Sequence, residues 1–262
     1  MTEQAHVGAP VLEAENLSIQ FGGLKALQEL SFSIPEKTVF SIIGPNGAGK
    51  TTFFNIVTGI YRPTGGDVRL YGESIVGLSR IVERGVCRTF QNIRLFQNLT
   101  VLENVMIGRQ LHERTGLGDI LLRTQRFRAQ EAETLDRAAE ILDYVGILDD
   151  ANALAKNLPY GRQRRLEIAR ALATAPRLLL LDEPTAGMNP SESEEMVQLF
   201  QRICEERGVC VLMIEHDMKV VMGVSQRILV LNFGRQIALG SPREVLENEE
   251  VITAYLGHQK VM

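Results

Sequence analysis

A chain of 262 residues, with 45% hydrophobic and 23% charged side chains, is rich enough in apolar residues to bury a core, which excludes a disordered polyelectrolyte. The formal net charge of −4 gives no global attraction for nucleic acid. No apolar run approaches the ~20 residues that span a bilayer, and Met1 to His6 lacks the basic and apolar regions of a signal peptide.

Cys87, Cys204 and Cys210 have no metal-ligand spacing and read as thiols of a reducing compartment. The expectation is a cytoplasmic chain that meets any membrane peripherally, from its inner face and through a partner.

From Val11 to Pro35, short apolar and polar stretches alternate, which predicts antiparallel strands. Val39 to Ile43 predicts a buried strand, and Phe53 to Val57 reads as the start of a helix. Between them stands Gly44-Pro45-Asn46-Gly47-Ala48-Gly49-Lys50-Thr51, which fits the phosphate-binding pattern G-x-x-x-x-G-K-[ST]. Its glycines let backbone N–H groups approach phosphate oxygens, and a helix N-terminus presents partial positive charge to the same anion. Lys50 would reach the terminal phosphates and the Thr51 hydroxyl would ligate Mg²⁺, with Thr52 beside it. A nucleoside triphosphate is the expected ligand, and an ordinary glycine-rich turn is the competing reading.

Pro63 to Asp67 predicts a turn and Val68 to Tyr71 a short strand. Residues from about 98 to 173 read as a mostly helical subdomain. Thr100 and Glu103 form a capping box, and Ala132, Leu135, Ala139, Leu142 and Val145 mark one apolar face. Leu178 to Leu181 and Val209 to Ile214 predict buried parallel strands. Asn189-Pro190-Ser191-Glu192 opens the helix between them, and Ser241-Pro242-Arg243-Glu244 opens a last helix in a tail from about 241 to 262. Strands alternating with helices imply an α/β core. The helical block is an insertion into it.

Asp182 ends an apolar strand, as suits a second Mg²⁺ ligand in a chain with a phosphate loop. Glu183 beside it is placed to polarise an attacking water. A carboxylate capping the turn at Pro184 is the alternative. His216 ends the next apolar run and would contact a γ-phosphate at the same sheet edge; a lone histidine is otherwise structural.

Over nearly its whole length the chain resembles an ATP-binding cassette (ABC) ATPase. That resemblance implies a P-loop NTPase (RecA-like) core, an antiparallel β subdomain and an inserted helical subdomain in one cassette spanning residues 1–262. It implies that Phe21 stacks on adenine and that Gln91, in Thr89-Phe90-Gln91-Asn92, attends Mg²⁺ and the attacking water. It places Leu158-Pro159-Tyr160-Gly161-Arg162, followed by Gln163, where the signature Leu-Ser-Gly-Gly-Gln belongs. Ala186 to Asn189 occupies the loop after the second Mg²⁺ motif, and His216 matches the switch histidine. The resemblance implies two cassettes packed head to tail, each ATP lying between one phosphate loop and the other signature.

The signature departs from the pattern. Pro159 supplies neither a hydroxyl nor an N–H where the family has serine, and Tyr160 replaces the first glycine. Leu158, Tyr160, Gly161 and Arg162 remain the expected contacts to a partner's nucleotide. The altered signature, Ile214 to Met218, Leu231 to Gly234 and the ending Ile252 to Gly257 resemble the LivG-type ATPases of branched-chain amino-acid importers. The implied partners are integral membrane permease subunits, a second cassette of the same or a different chain, and indirectly a binding protein outside the membrane. Leu95 and Phe96 are expected to pack on a helix of the membrane subunit, unless they are core residues of the helical block. Arginines at 109, 114, 123, 126 and 128 face only Glu113 and Asp119, a basic excess near lipid headgroups or a solvated helical face.

Other readings stay open: the ATPase of a lipid or lipopolysaccharide exporter, a soluble ABC-type ATPase in translation or DNA repair, and a regulatory subunit with little turnover. One cassette without sustained heptads counts against the soluble ATPase.

Overall fold

The computed structural model describes residues 10–78, 80–112 and 124–256. They form two compact units, one from the segments up to Arg88 and from Arg177 onward, the other from Thr89–Pro176.

The first unit contains two sheets. In the smaller, β1 (Leu12–Phe21) lies between β2 (Leu24–Ile34) and β4 (Gly65–Leu70), all antiparallel, and β5 (Glu73–Ser74) pairs with β4. The larger is built from β3 (Val39–Ile43), β6 (Val86–Arg88), β7 (Leu178–Asp182), β8 (Cys210–Ile214), β9 (Arg227–Asn232) and β10 (Arg235–Gly240). Their order is β10-β9-β3-β8-β7-β6. All neighbours are parallel except the edge pair β9 and β10. Every residue of β3, β7 and β8 is buried, which is why these strands read as unbroken apolar runs rather than alternating ones.

Helix α1 (Lys50–Val57) contributes Phe53, Phe54, Ile56 and Val57 to a core cluster shared with residues of both sheets. It starts at Lys50, not at Phe53, because Gly49 turns the chain in the left-handed region (φ 105°) directly before it. Further along are α5 (Pro190–Arg207) and α6 (Met218–Val224). Asn189 caps α5 reciprocally with Glu192. The tail holds two helices rather than one. α7 (Pro242–Leu246) opens on the Ser241–Glu244 capping box, and α8 (Glu249–Leu256) restarts where Asn248 accepts from the N–H groups of Glu250 and Val251. Residues 257–262 of the predicted tail lie outside the described residues.

The second unit carries α2 (Val101–Arg109), α3 (Gln125–Tyr144) and α4 (Tyr160–Ala173). Thr100 and Glu103 form the predicted capping box. α2 and α4 cross closely at Gly108, where a Cβ would lie 2.4 Å from the carbonyl oxygen of Arg170. The predicted face of α3 is displaced. Thr134, Ala138, Ile141 and Leu142 are buried, while Ala132 and Leu135 are exposed. Two stripes of similar period overlap at Leu142 and Val145, and spacing alone does not choose between their first halves. Of the predicted basic excess, Arg114 and Arg123 lie outside the described residues.

Candidate nucleotide site

In an open parallel sheet, ligands bind beyond the carboxyl ends of the strands. Here three adjacent strands end together. β3 runs into Gly44, β7 ends in Asp182 opposite Ile214 of β8, and β8 runs into Glu215 and His216. A cleft of about 660 Å³ opens there, lined by Phe21, residues 46–52, Glu183, His216 and Phe233, among others.

The loop before α1 needs its glycines for definite reasons. A Cβ on Gly44 would meet the Leu231 carbonyl oxygen at 2.1 Å, and one on Gly49 would meet the Ala26 oxygen at 2.6 Å. Gly47 has φ +80° and open space around it. Pro45, Asn46 and Ala48 complete the loop, and the Ala48 N–H closes it onto the Pro45 carbonyl at 3.1 Å. α1 then begins with no acidic residue in its first turn, so nothing opposes an anion at its N-terminus.

Lys50 is buried, and its ammonium donates to the carbonyls of Gly44 (2.6 Å) and Pro45 (3.0 Å). Burial lowers its pKa; the charges of Glu183 and Asp182 oppose that shift. Thr51 is exposed at the start of the helix and Thr52 half-buried. Phe21 is half-exposed, and its ring and that of Tyr61 form a T-shaped pair with centroids 5.1 Å apart.

Asp182 is buried and its Oδ2 accepts from Arg88 at 2.8 Å. Arg88 also donates to Asn55 Oδ1 at 2.7 Å and lies over the Phe54 ring. Glu183 follows with φ 49°, a left-handed conformation that costs a non-glycine residue energy and clusters at functional sites. His216 Nε2 lies 2.8 Å from Glu183 Oε1. Glu215, also buried, braces both loops. Its Oε1 accepts from the Thr185 N–H at 3.0 Å and hydroxyl at 2.5 Å, and its Oε2 accepts from the His216 N–H at 2.9 Å. Arg88, Tyr61 and Glu215 escaped sequence reasoning. The one available signal was for Glu215, an acid ending an apolar strand as Asp182 does.

Gln91, Leu158, Tyr160, Gly161 and Arg162 belong to the second unit. Gln91 is exposed in a stretch without helix or strand. Leu158 is buried, Pro159 is the N-cap of α4, and Tyr160 opens that helix half-exposed. Phe96 is half-exposed, with the Arg170 guanidinium over its ring, so it is not a core residue; Leu95 is half-buried.

The donor set fits a magnesium nucleotide. A glycine loop with two sterically required glycines, a helix start free of acids, a buried lysine and a hydroxyl share one cleft with the Glu183 carboxylate, and Asp182 precedes it at the end of β7.

Residues 27–186 match the family described as ABC transporter, and residues 235–261 match that described as branched-chain amino acid ATP-binding cassette transporter. The chain belongs to the ABC transporter family and is an ATPase of the P-loop α/β class. It is 48% identical to the high-affinity branched-chain amino acid transport ATP-binding protein LivG of Salmonella typhimurium, over 95% of this chain and 98% of that one. Among solved structures it is similar to the ADP conformation of MJ1267, an ATP-binding cassette of an ABC transporter. That likeness has a TM-score of 0.82 and 29% identity, covering 95% and 100% of the two chains. A dimeric post-hydrolysis state of the cassette MJ0796 bound to ADP and Pi matches with a TM-score of 0.74 and 28% identity, covering 88% and 99%.

Proposed function

We infer that this chain is the ATP-hydrolysing subunit of a branched-chain amino acid importer, acting at the inner face of the membrane on integral permease subunits. The observation that carries the ATPase reading is Glu183, held in a left-handed conformation at the rim of the phosphate cleft with His216 at 2.8 Å. The transported substrate rests on 48% identity to LivG over 95% of the chain.

Lys50 exchanges the carbonyls of Gly44 and Pro45 for phosphate oxygens. N–H groups of the loop and of the first turn of α1, other than that of Ala48, would face the same anion. Phe21, exposed in the lining of the cleft, offers its ring to the base. Within the first unit, Thr51 and Asp182 are the side chains that would hold Mg²⁺. Bound there, Mg²⁺ neutralises charge on the transferred phosphoryl group. Glu183 takes the proton of the attacking water, and His216 fixes its carboxylate and reaches toward the γ-phosphate. General-base assistance of this kind is worth about 10²–10⁴-fold in rate.

The start of α4, with Leu158, Tyr160, Gly161 and Arg162, faces the nucleotide of a second cassette. With no hydroxyl at Pro159, the helix N-terminus and the Gly161 N–H carry that contact. With a different chain as the second cassette, only one of the two composite sites uses this altered signature; with a second copy, both do.

Purification of the tagged chain from native membranes after mild detergent extraction tests this reading. Two membrane subunits and a distinct second cassette are expected, with leucine uptake lost when the chain is deleted. Recovery with ribosomes or DNA and no membrane protein would overturn it.

A further inference from the structure

Helix α4 carries two buried charges that the nucleotide cleft does not use. Arg164 is 2% and Glu167 3% exposed. A guanidinium has five N–H donors in a fixed fork, and here all five are engaged. Nε donates to the Tyr160 hydroxyl at 3.2 Å. Nη1 donates to the Phe90 carbonyl at 2.8 Å and to Glu167 Oε2 at 3.1 Å. Nη2 donates to the Gln91 carbonyl and to the Tyr160 hydroxyl at 3.0 Å. Glu167 Oε1 in turn accepts from the Arg94 N–H at 3.3 Å, and Arg170 donates to the Arg94 carbonyl. The irregular stretch around Gln91 is therefore held by side chains of the helix whose first residue is Tyr160.

We propose that Tyr160 and Arg164 are positioning residues that make the Gln91 segment and the start of α4 respond as one piece. The proposal rests on the ATPase reading, in which Gln91 attends one nucleotide and the start of α4 faces another. A buried cation with every donor engaged has one low-energy placement. Moving the Gln91 carbonyl leaves a donor unpaired unless the guanidinium follows. When the guanidinium follows, its bonds to the Tyr160 hydroxyl follow too. A glycine at position 160, as in the family signature, has no hydroxyl to offer. The departure at Tyr160 thus adds a link, while Pro159 removes a cap.

The test is hydrogen–deuterium exchange on the full chain carrying Glu183→Gln, with and without MgATP, compared with the same chain carrying Tyr160→Phe as well. In the parent, ATP is expected to slow exchange at residues 90–96 and 160–164 over the same concentration range. In Tyr160→Phe, nucleotide-free exchange at 90–96 is expected to rise about 10-fold, and the two segments to respond at different ATP concentrations. In the hydrolysis-competent chain, Tyr160→Phe is expected to lower kcat and leave KM in place. Arg164→Met added to Tyr160→Phe is expected to cost no more than Arg164→Met alone, since both break one link. Unchanged exchange at 90–96 in Tyr160→Phe, with ATP still bound and kcat unaltered, would overturn the link alone. Failure of the chain with Glu183 intact to bind ATP would overturn the ATPase reading and this role with it.

Discussion

His216 Nε2 and Glu183 Oε1 lie 2.8 Å apart, although the two residues end neighbouring strands and are 33 positions apart in sequence. Glu183 is held in place from two sides. Its own N–H donates to the Ile214 carbonyl at 2.9 Å, and its carboxylate meets the imidazole. Glu183→Gln is expected to keep ATP binding and lose turnover by about 10²–10⁴-fold, the worth of a positioned base. His216→Ala, which leaves the carboxylate in place but unoriented, should retain more. Filter binding with single-turnover hydrolysis separates the two effects. Loss of binding in Glu183→Gln would show that the carboxylate holds the fold rather than the water.

Arg88 and Asp182 form an ion pair whose side chains are only 6% and 10% exposed. Removing one partner of a buried pair costs about 3–5 kcal/mol, because the other charge stays buried alone. Arg88→Met is therefore expected to lower unfolding stability by about that amount in a urea titration. Arg88→Lys, which keeps the charge but not the fork that also holds Asn55, should fall between. A loss below ~1 kcal/mol in Arg88→Met would mean that the pair is hydrated in solution.

Legibility in the sequence followed the range of the interaction. The phosphate loop, the Thr100 capping box, the proline-marked helix starts at Asn189 and Ser241 and the runs of β3, β7 and β8 are local, and their residue types state their geometry. Arg88 and Arg164 carry no such local signal, and Glu215 carries only its place at the end of an apolar strand. Charged residues ordinarily read as surface, and their partners stand far away in sequence: Asp182 for Arg88, the Gln91 carbonyl for Arg164 and Thr185 for Glu215. The face of α3 failed for another reason. Its buried stripe includes Thr134 and omits Leu135, so hydrophobicity pointed to the wrong residue at that turn.

The loop glycines separate steric from conformational demands. Gly44→Ala drives a Cβ to within 2.1 Å of backbone oxygen at Leu231 and is expected to abolish ATP binding and lower Tm. Gly47→Ala meets nothing within 4 Å and pays only for its φ of +80°, about 1–2 kcal/mol. Thermal melts of the two variants without nucleotide check the contrast. Equal losses would mean that the φ at these positions, not the close approach to Leu231, sets the requirement.

Phe21 is expected to supply base affinity without taking part in hydrolysis. Stacking a base on an aromatic ring is worth about 1–3 kcal/mol, so Phe21→Ala should weaken ATP binding by about 5- to 150-fold. Phe21→Tyr, which keeps an aromatic ring beside Tyr61, should stay near the parent. In steady state the loss should fall on KM, with kcat unchanged. A drop in kcat at saturating ATP would place the ring in the chemistry instead.

Lys50 carries a cost of burial. Burial pulls its pKa below the ordinary value of 10.5, so the folded chain holds that proton less firmly than the unfolded chain does. A lysine depressed in this way destabilises the fold at neutral pH. The penalty fades as pH rises through the folded value toward 10.5. Lys50→Met, similar in length and uncharged, is therefore expected to melt higher than the parent at pH 7 without nucleotide, and to lose MgATP binding. The gap in stability should narrow as pH rises toward 10, since the parent alone is relieved of the charge. If the variant instead melts lower at pH 7, the bonds to the Gly44 and Pro45 carbonyls outweigh the burial of the ammonium.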